Sequence, residues 1–227
     1  MLNVSPELLR LGLSTAVLVA RGIDSSRTPP ELAAYRRSVG RQLAAFWKNR
    51  KLSTHPAVRE YEQLHRRFGV VDEPAAPVKI LRYVRRHQDF TEAGALVDCY
   101  NLVSARTLLS LGAHDLAKLK TPITLRPVQP DDVFIPLGES TPRDCQGEYA
   151  YVDPDGQIIC RMEVLQCEAT KVDAASRDVV IFFQGNREIP DKDLLAGVWL
   201  LAELLERFCS GTTELVGFLE ATERNET

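Results

Sequence analysis

The sequence predicts a single α/β domain, and three observations carry that prediction. Apolar residues recur at helical spacing through most of residues 29–87, short strand-like runs follow between residues 123 and 183, and an amphipathic helix closes the chain over residues 193–209. A chain of 227 residues with 44% hydrophobic and 26% charged side chains suits one globular domain. Within it, a basic helical part spans about 27–90 and a strand-bearing part about 91–211. No apolar run reaches the roughly 20 residues that cross a bilayer, so no membrane association is expected, and the composition excludes collagen, coiled coil and a disordered chain.

Residues 11–20 form the first apolar run; Glu7 precedes it and Arg21-Gly22-Ile23 replaces a small-residue cleavage site, so a buried strand is expected, not a signal peptide. Thr28-Pro29-Pro30-Glu31 has the form of a capping box with prolines in the first turn, which predicts a helix over 29–51. Leu32, Tyr35, Val39, Leu43, Phe46 and Trp47 share one face of it, and Arg37, Arg41, Lys48 and Lys51 fall opposite. A second helix is expected over 56–69, with Val58, Tyr61, Leu64 and Phe68 inward and Arg59, Arg66 and Arg67 outward. In a third, over 77–87, Ile80, Leu81 and Val84 pack while Arg82, Arg85 and Arg86 face solvent. The aromatics of these helices are expected in the core.

Next come a helix over 93–104, a loop through residues 112–115, and strands at 123–128, 134–137, 149–152, 157–164 and 179–183. Asp153-Pro154-Asp155-Gly156 is a hairpin turn, with proline setting φ and glycine taking the left-handed position. Gly211 is expected to stop the last helix, leaving a polar tail that frays.

Charge is distributed unevenly. Residues 27–87 hold 14 Lys and Arg against 5 acids, while the rest of the chain holds 14 against 26. Three helices presenting arginines form either a solvated face or a footprint for a polyanion. Clustered cations grip a nucleic acid by its phosphates. Cys99, Cys145, Cys160, Cys167 and Cys209 form an odd set without a C-x-x-C pair, which points to reduced thiols in a cytoplasm and to no metal. Nucleotide-binding glycine loops, a nucleophile elbow and the H-E-x-x-H zinc motif are missing, and no cofactor is assigned. Asn101 interrupts a hydrophobic helix, as a structural hydrogen bond or a ligand contact. His114 and Asp115 follow a glycine, where they could orient water or cap a helix.

Order and spacing add to this. Asn101-Leu102-Val103-Ser104, Leu111-Gly112-Ala113-His114-Asp115-Leu116 and Ile123-Thr124-Leu125-Arg126 occur in series, then Gly147-Glu148, Tyr151 and Asp153, then Cys160-Arg161, Gln166 and Thr170-Lys171-Val172. Over roughly residues 15–210 this series resembles the tRNA-editing (B-three/B-four) domain of the phenylalanyl-tRNA synthetase beta subunit, and more closely its free-standing relatives. The resemblance implies a compact mixed-sheet α/β editing-domain fold, with flanking helices enclosing a pocket for the aminoacylated 3′ end of tRNA. It implies a deacylase that hydrolyses the ester of a mischarged aminoacyl-tRNA in trans, with tRNA and not DNA as partner.

On that resemblance His114 holds water or the ribose, Asn101 and Gln166 donate hydrogen bonds around the carbonyl or amine, and Thr170 and Lys171 contact the ester or terminal phosphate. Glu148 and Asp115 are candidates for the substrate's ammonium or a basic side chain, and Arg161 for a phosphate contact or Glu148's partner. Arg37, Arg41, Lys48, Arg66, Arg82, Arg85 and Arg86 are the expected tRNA grip. One departure matters: many relatives follow the Cys-Arg pair with a tryptophan-rich, arginine-containing run, whereas this chain has Met162-Glu163-Val164-Leu165-Gln166. Alternation on a strand faces Glu163 to either solvent or the pocket, with the surface the favoured placement; turned inward it would favour a cationic substrate. The acidic candidates fit the branch that clears canavanine, an arginine mimic, from tRNA(Arg). A hydrophobic or aromatic product is nearly as tenable, and two other readings stay open: a non-catalytic tRNA-binding module, and a hydrolase of small amino-acid esters or amides.

Overall fold

A computed structural model describes residues 1–220. In chain order its elements are β1 (Leu2–Val4), α1 (Pro6–Arg10), β2 (Ser14–Arg21), α2 (Pro30–Trp47), a single 3-10 turn, α3 (Pro56–Arg67), α4 (Ala76–His87), α5 (Ala95–Thr107), β3 (Ser110–Asp115), β4 (Ile123–Pro127), β5 (Tyr149–Val152), β6 (Ile158–Arg161), β7 (Leu165–Gln166), β8 (Val179–Gly185), α6 (Asp191–Cys209) and β9 (Thr212–Leu219).

The architecture has three layers. A sheet ordered β3-β8-β2-β9 lies at the centre, with all its pairings antiparallel. On one face, Ala16, Leu18 and Ala20 of β2 and Val179, Ile181 and Phe183 of β8 meet the helices in one core. On the other face, Val17, Val19, Val180 and Phe182 meet a second sheet, ordered β1-β4-β5-β6-β7, in another core. Burial on both faces explains why β2 and β8 read as continuous apolar runs and not as alternating strands. The mixed sheet is therefore two sheets, and the parallel pair is β1 with β4.

Several expectations are corrected. Thr28 does not cap α2: Pro29 stands at the N-cap with no side-chain cap bond, and the helix ends at Trp47, short of residue 51. Phe46 and Tyr83 are not core residues; they are 53% and 41% exposed. Residues 112–115 are not a loop but most of β3, zipped to β8 with His114 opposite Val180. Residues 134–137 make only an isolated bridge between Pro136 and Cys167. The strand expected at 157–164 breaks at Met162, whose φ of 46° turns the chain back into β7. The last helix is closed by Ser210 at φ 57°, not by Gly211. Residues 212–219 do not fray; they form β9 along β2. The rest of the expected tail, residues 221–227, lies outside the described residues. Among those described, no helix is long and apolar enough to cross a membrane.

Candidate functional site

The motif residues converge where the free edge of the central sheet meets the last strand of the second sheet. Strand alternation puts Gly112 and His114 on the face of β3 that looks toward the second sheet, and the His114 ring lies 5.8 Å from that of Phe182. After β7 the chain returns alongside β3. His114 bridges Lys171, the Asp115 N–H donates to the Thr170 carbonyl at 3.0 Å, and Cys167 and Thr170 close over the histidine.

His114 is 1% exposed. Its Nδ1 is 2.6 Å from Thr170 Oγ1, which is in turn 3.1 Å from Cys167 Sγ. Its Nε2 is buried without a hydrogen-bond partner among the described residues. Burial pushes its pKa down to about 3, so the ring is neutral near neutral pH. One nitrogen of a neutral imidazole donates and the other accepts. With the Thr170 hydroxyl donating to Nδ1, Nε2 carries the free N–H; with Nδ1–H donating to Thr170, Nε2 is a free acceptor. Either way one directional hydrogen-bonding atom is left unused in a place where an orphan is costly.

Gln166 completes the group. Its Nε2 donates to the Ala113 carbonyl at 3.2 Å and sits 2.7 Å from where a Cβ on Gly112 would lie. His114 Nε2 is 3.6 Å from the same point. Gly112 thus makes room for the amide and the imidazole to flank one spot, and one Gln166 N–H remains after the Ala113 bond.

The other expected residues are placed differently. Asn101 is half-buried on α5 and makes no side-chain hydrogen bond among the described residues. Asp115 is spent on its own turn, where its carboxylate accepts from Ser176 Oγ at 2.6 Å and the Ala117 N–H at 2.9 Å and faces Lys118 at 3.5 Å. Those bonds, working against burial, hold it below the usual carboxylate range. Glu148 is clamped by Arg161, with Nη2 to Oε1 at 2.7 Å, and Arg161 also reaches Glu73. Arg161 is therefore Glu148's partner. Lys171 is exposed and pairs with Glu168.

Glu163 is corrected from surface to interior: it is 1% exposed. Tyr149 Oη and Gln184 Nε2 both donate to Oε1, and His65 Nε2 lies 3.1 Å from Oε2. His65 Nδ1 faces the Glu73 carbonyl at 2.8 Å. A carbonyl only accepts, so Nδ1 carries a proton and another lies between Nε2 and the carboxylate. Burial pulls the His65 pKa down most strongly of any single effect, but the bond to Glu163, its charge and the Glu73 carbonyl together outweigh it and the net shift is upward. Asp115, Glu148 and Glu163 are all engaged inside the protein, which removes the geometric support for a cationic substrate.

Of the expected tRNA grip, Arg41, Lys48, Arg82, Arg85 and Arg86 line one groove of about 580 Å³ between α2 and α4. Arg37 stands one turn from Arg41 on the same face of α2, whereas Arg66 lines a separate cavity and pairs with Glu62 at 3.6 Å. Arg36, a neighbour in sequence, is structural: it is buried against Asp98 at 2.7 Å.

A family model of the B3/4 domain matches residues 69–209. The chain belongs to the B3/4 domain family. The matched segment begins after α3 and includes His114, Gln166 and Thr170. This B3/4 protein is 31% identical to the phenylalanine–tRNA ligase beta subunit of Pyrobaculum aerophilum, over 49% of its own chain and 25% of that subunit. Its fold aligns with the crystal structure of an N-terminal fragment of the phenylalanyl-tRNA synthetase beta subunit from Pyrococcus horikoshii, covering 94% of this chain and 50% of the fragment at TM-score 0.50 and 14% identity. At that identity the likeness shows the fold alone. The B3/4 chain spans half or less of the length of each relative. The sequence reading missed Gly112 as a space-maker, Cys167 as Thr170's partner and Phe182 as the wall behind His114. Only Gly112 left a signal, as a glycine two residues before the histidine.

Proposed function

We propose that this B3/4 protein is a free-standing deacylase, hydrolysing the ester that joins a wrong amino acid to the 3′-terminal ribose of tRNA. The observation that carries the reading is the orphaned, buried Nε2 of neutral His114, facing the same spot as the Gln166 amide across side-chain-free Gly112.

An aminoacyl ester is already activated, so positioned water and fixed dipoles supply much of the acceleration. In the proposed reaction the water oxygen bonds to the ester carbonyl carbon, the bond to the ribose oxygen breaks, and that oxygen leaves protonated, assisted by the neighbouring ribose hydroxyl. His114 Nε2 orients the water or the ribose. Gln166 donates to the developing oxyanion. Thr170 is a positioning residue that fixes the imidazole through Nδ1, and Lys171 serves the terminal phosphate; Asn101, on the helical side of the central sheet, is given no role at this spot. Asp115 and Glu148 are left to the scaffold.

One observation favours the second reading, a tRNA-binding module without catalysis: His114 is sealed from solvent, so chemistry requires residues 166–171 to open. The test is ester loss from a panel of cognate and mischarged aminoacyl-tRNAs, canavanyl-tRNA(Arg) among them, against a no-protein control. Selective loss from one mischarged species supports the deacylase. Tight, salt-sensitive binding of tRNA with the ester intact assigns the protein to the binding module, and turnover of free amino-acid esters with indifference to tRNA assigns it to the small-molecule hydrolases.

A further inference from the structure

The groove between α2 and α4 gathers Arg41, Lys48, Arg82, Arg85 and Arg86, and among the described residues none of the five has a carboxylate within 4.0 Å. The chain is not short of acids, with 31 Asp and Glu against 28 Lys and Arg. Like charges facing one another across two helices destabilise the fold. Their persistence without internal partners marks a place completed by an external anion, and a groove of about 580 Å³ holds more than one phosphate.

On the opposite side of the same stretch of α2 lies an open cavity of about 560 Å³. Phe46, Trp47, Ile189 and Pro190 wall it, and Glu188 and Asp193 line it as well. Phe46 belongs by periodicity to the inward face of α2, yet it stays 53% exposed. Its ring meets Trp47 edge-on at 5.3 Å and carries the Arg50 guanidinium at 4.1 Å. Aromatic surface left open beside a cationic track is the combination that binds unpaired nucleic acid, phosphates on the cations and bases on the rings. The two cavities lie on opposite sides of α2, a helix roughly 10–12 Å in diameter with its side chains.

We propose that the C-terminal half of α2 is a binding site for an unpaired RNA segment, with successive phosphates in the α2–α4 groove and one base entering the cavity beside Phe46. The acceptor atoms of Glu188 and Asp193 suit a base edge that presents N–H donors. Arg41, Phe46, Trp47 and Lys48 precede the segment matched by the family model, whereas Arg82, Arg85, Arg86, Glu188 and Asp193 lie within it, so α2 adds its side of the grip from outside that segment. The inference rests on the reading of the chain as an RNA-binding protein and adds where, and through which part of the RNA, it binds.

The test is fluorescence anisotropy with the full chain, a labelled single-stranded oligoribonucleotide and a matched oligonucleotide of abasic residues. Wild type is expected to bind the base-bearing strand more tightly. Phe46→Ala should weaken that strand by roughly 5- to 150-fold, the equivalent of about 1–3 kcal/mol per stacked base, and leave the abasic strand unaffected. Phe46→Trp should restore binding. Arg41→Ala combined with Arg85→Ala should weaken both strands and flatten the salt dependence. Phe46 is exposed, so an unchanged thermal melt will certify the folded variant. Equal binding of the two strands by wild type, or full binding by Phe46→Ala, overturns the base site. Binding of tRNA without either oligonucleotide overturns the unpaired-strand assignment and leaves the deacylase reading intact; absence of hydrolysis with the oligonucleotide pattern as expected does the reverse.

Discussion

His114 is informative because its environment fixes its state. Held down to about 3 by burial, it stays neutral wherever the protein is folded near neutral pH, so its own titration contributes no limb near pH 6.5 to the rate profile. A profile bending at the ordinary histidine value, and losing that bend in His114→Gln, contradicts the burial account. Linkage gives a matching stability effect. The unfolded chain takes up this proton below about 6.5 and the folded chain does not, so stability falls as pH drops from about 6.5 toward 3, by at most about 1.4 kcal/mol per pH unit. His65 is shifted upward and has the opposite sign: its contribution is full below about 6.5 and fades as pH rises through its folded value. Denaturant melts across pH, with His114→Gln and His65→Gln compared with wild type, resolve the two slopes. Gly112→Ala gives a sharper test of the site. The added methyl meets the flexible end of Gln166 and not backbone, so activity should fall on the order of tenfold or more with little loss of melting temperature. A folded, fully active Gly112→Ala protein would remove Gln166 from the proposed mechanism. The histidine, glutamine and threonine were legible in the sequence because their order resembled a known series. Their mutual contacts were not, because residues 110–115 and 166–171 are brought together by long-range pairing that no local pattern encodes.

At the level of elements, helices were easier to read than strands. Residues 56–67 and 76–87 each carry a clean 3.6-residue stripe, and periodicity is a local signal. Strand β9 was hidden because its exposed edge leaves Thr212, Glu214 and Val216 alternating with half-buried neighbours after a strong helix. Glu163 was misplaced because the strand expected through it breaks at Met162, and a change of register sends the following side chains to the other face. Once inside, Glu163 joins α3, β5 and β8 through His65, Tyr149 and Gln184. Glu163→Gln leaves those partners mismatched, and the expected loss is on the order of 3 kcal/mol in denaturant unfolding; a change within a few tenths would contradict the buried network. The groove depends on a close approach of another kind. A Cβ on Gly40 of α2 would lie 2.7 Å from the Gln88 carbonyl oxygen and 2.8 Å from Asp89 Cα, both backbone atoms just after α4. Gly40→Ala should therefore cost roughly 1–3 kcal/mol and weaken RNA binding by spreading the two helices, readable in a thermal melt and a titration. Unchanged values for both would mean that the helices separate freely at that point.

For the whole molecule, three layers divide the labour. The central sheet, buried on both faces, is the rigid reference; its β3 edge carries His114, the second sheet brings Gln166, and the helical layer carries the cation-lined groove on α2 and α4. The uneven charge along the sequence already separated a basic segment, residues 27–87, from an acidic remainder. It did not reveal that Arg36 is a buried structural partner of Asp98, or that five of the cations converge on one groove, because both depend on how α2, α4 and α5 cross. The central claim is that ester hydrolysis occurs at His114 while tRNA is held elsewhere. The most direct measurement is single-turnover deacylation of a mischarged tRNA by wild type and His114→Ala, paired with tRNA affinity for both. The account predicts that His114→Ala slows hydrolysis on the order of 10²-fold or more with tRNA affinity unchanged. Equal rates in the two proteins, or no hydrolysis by wild type of any aminoacyl-tRNA it binds, would contradict it.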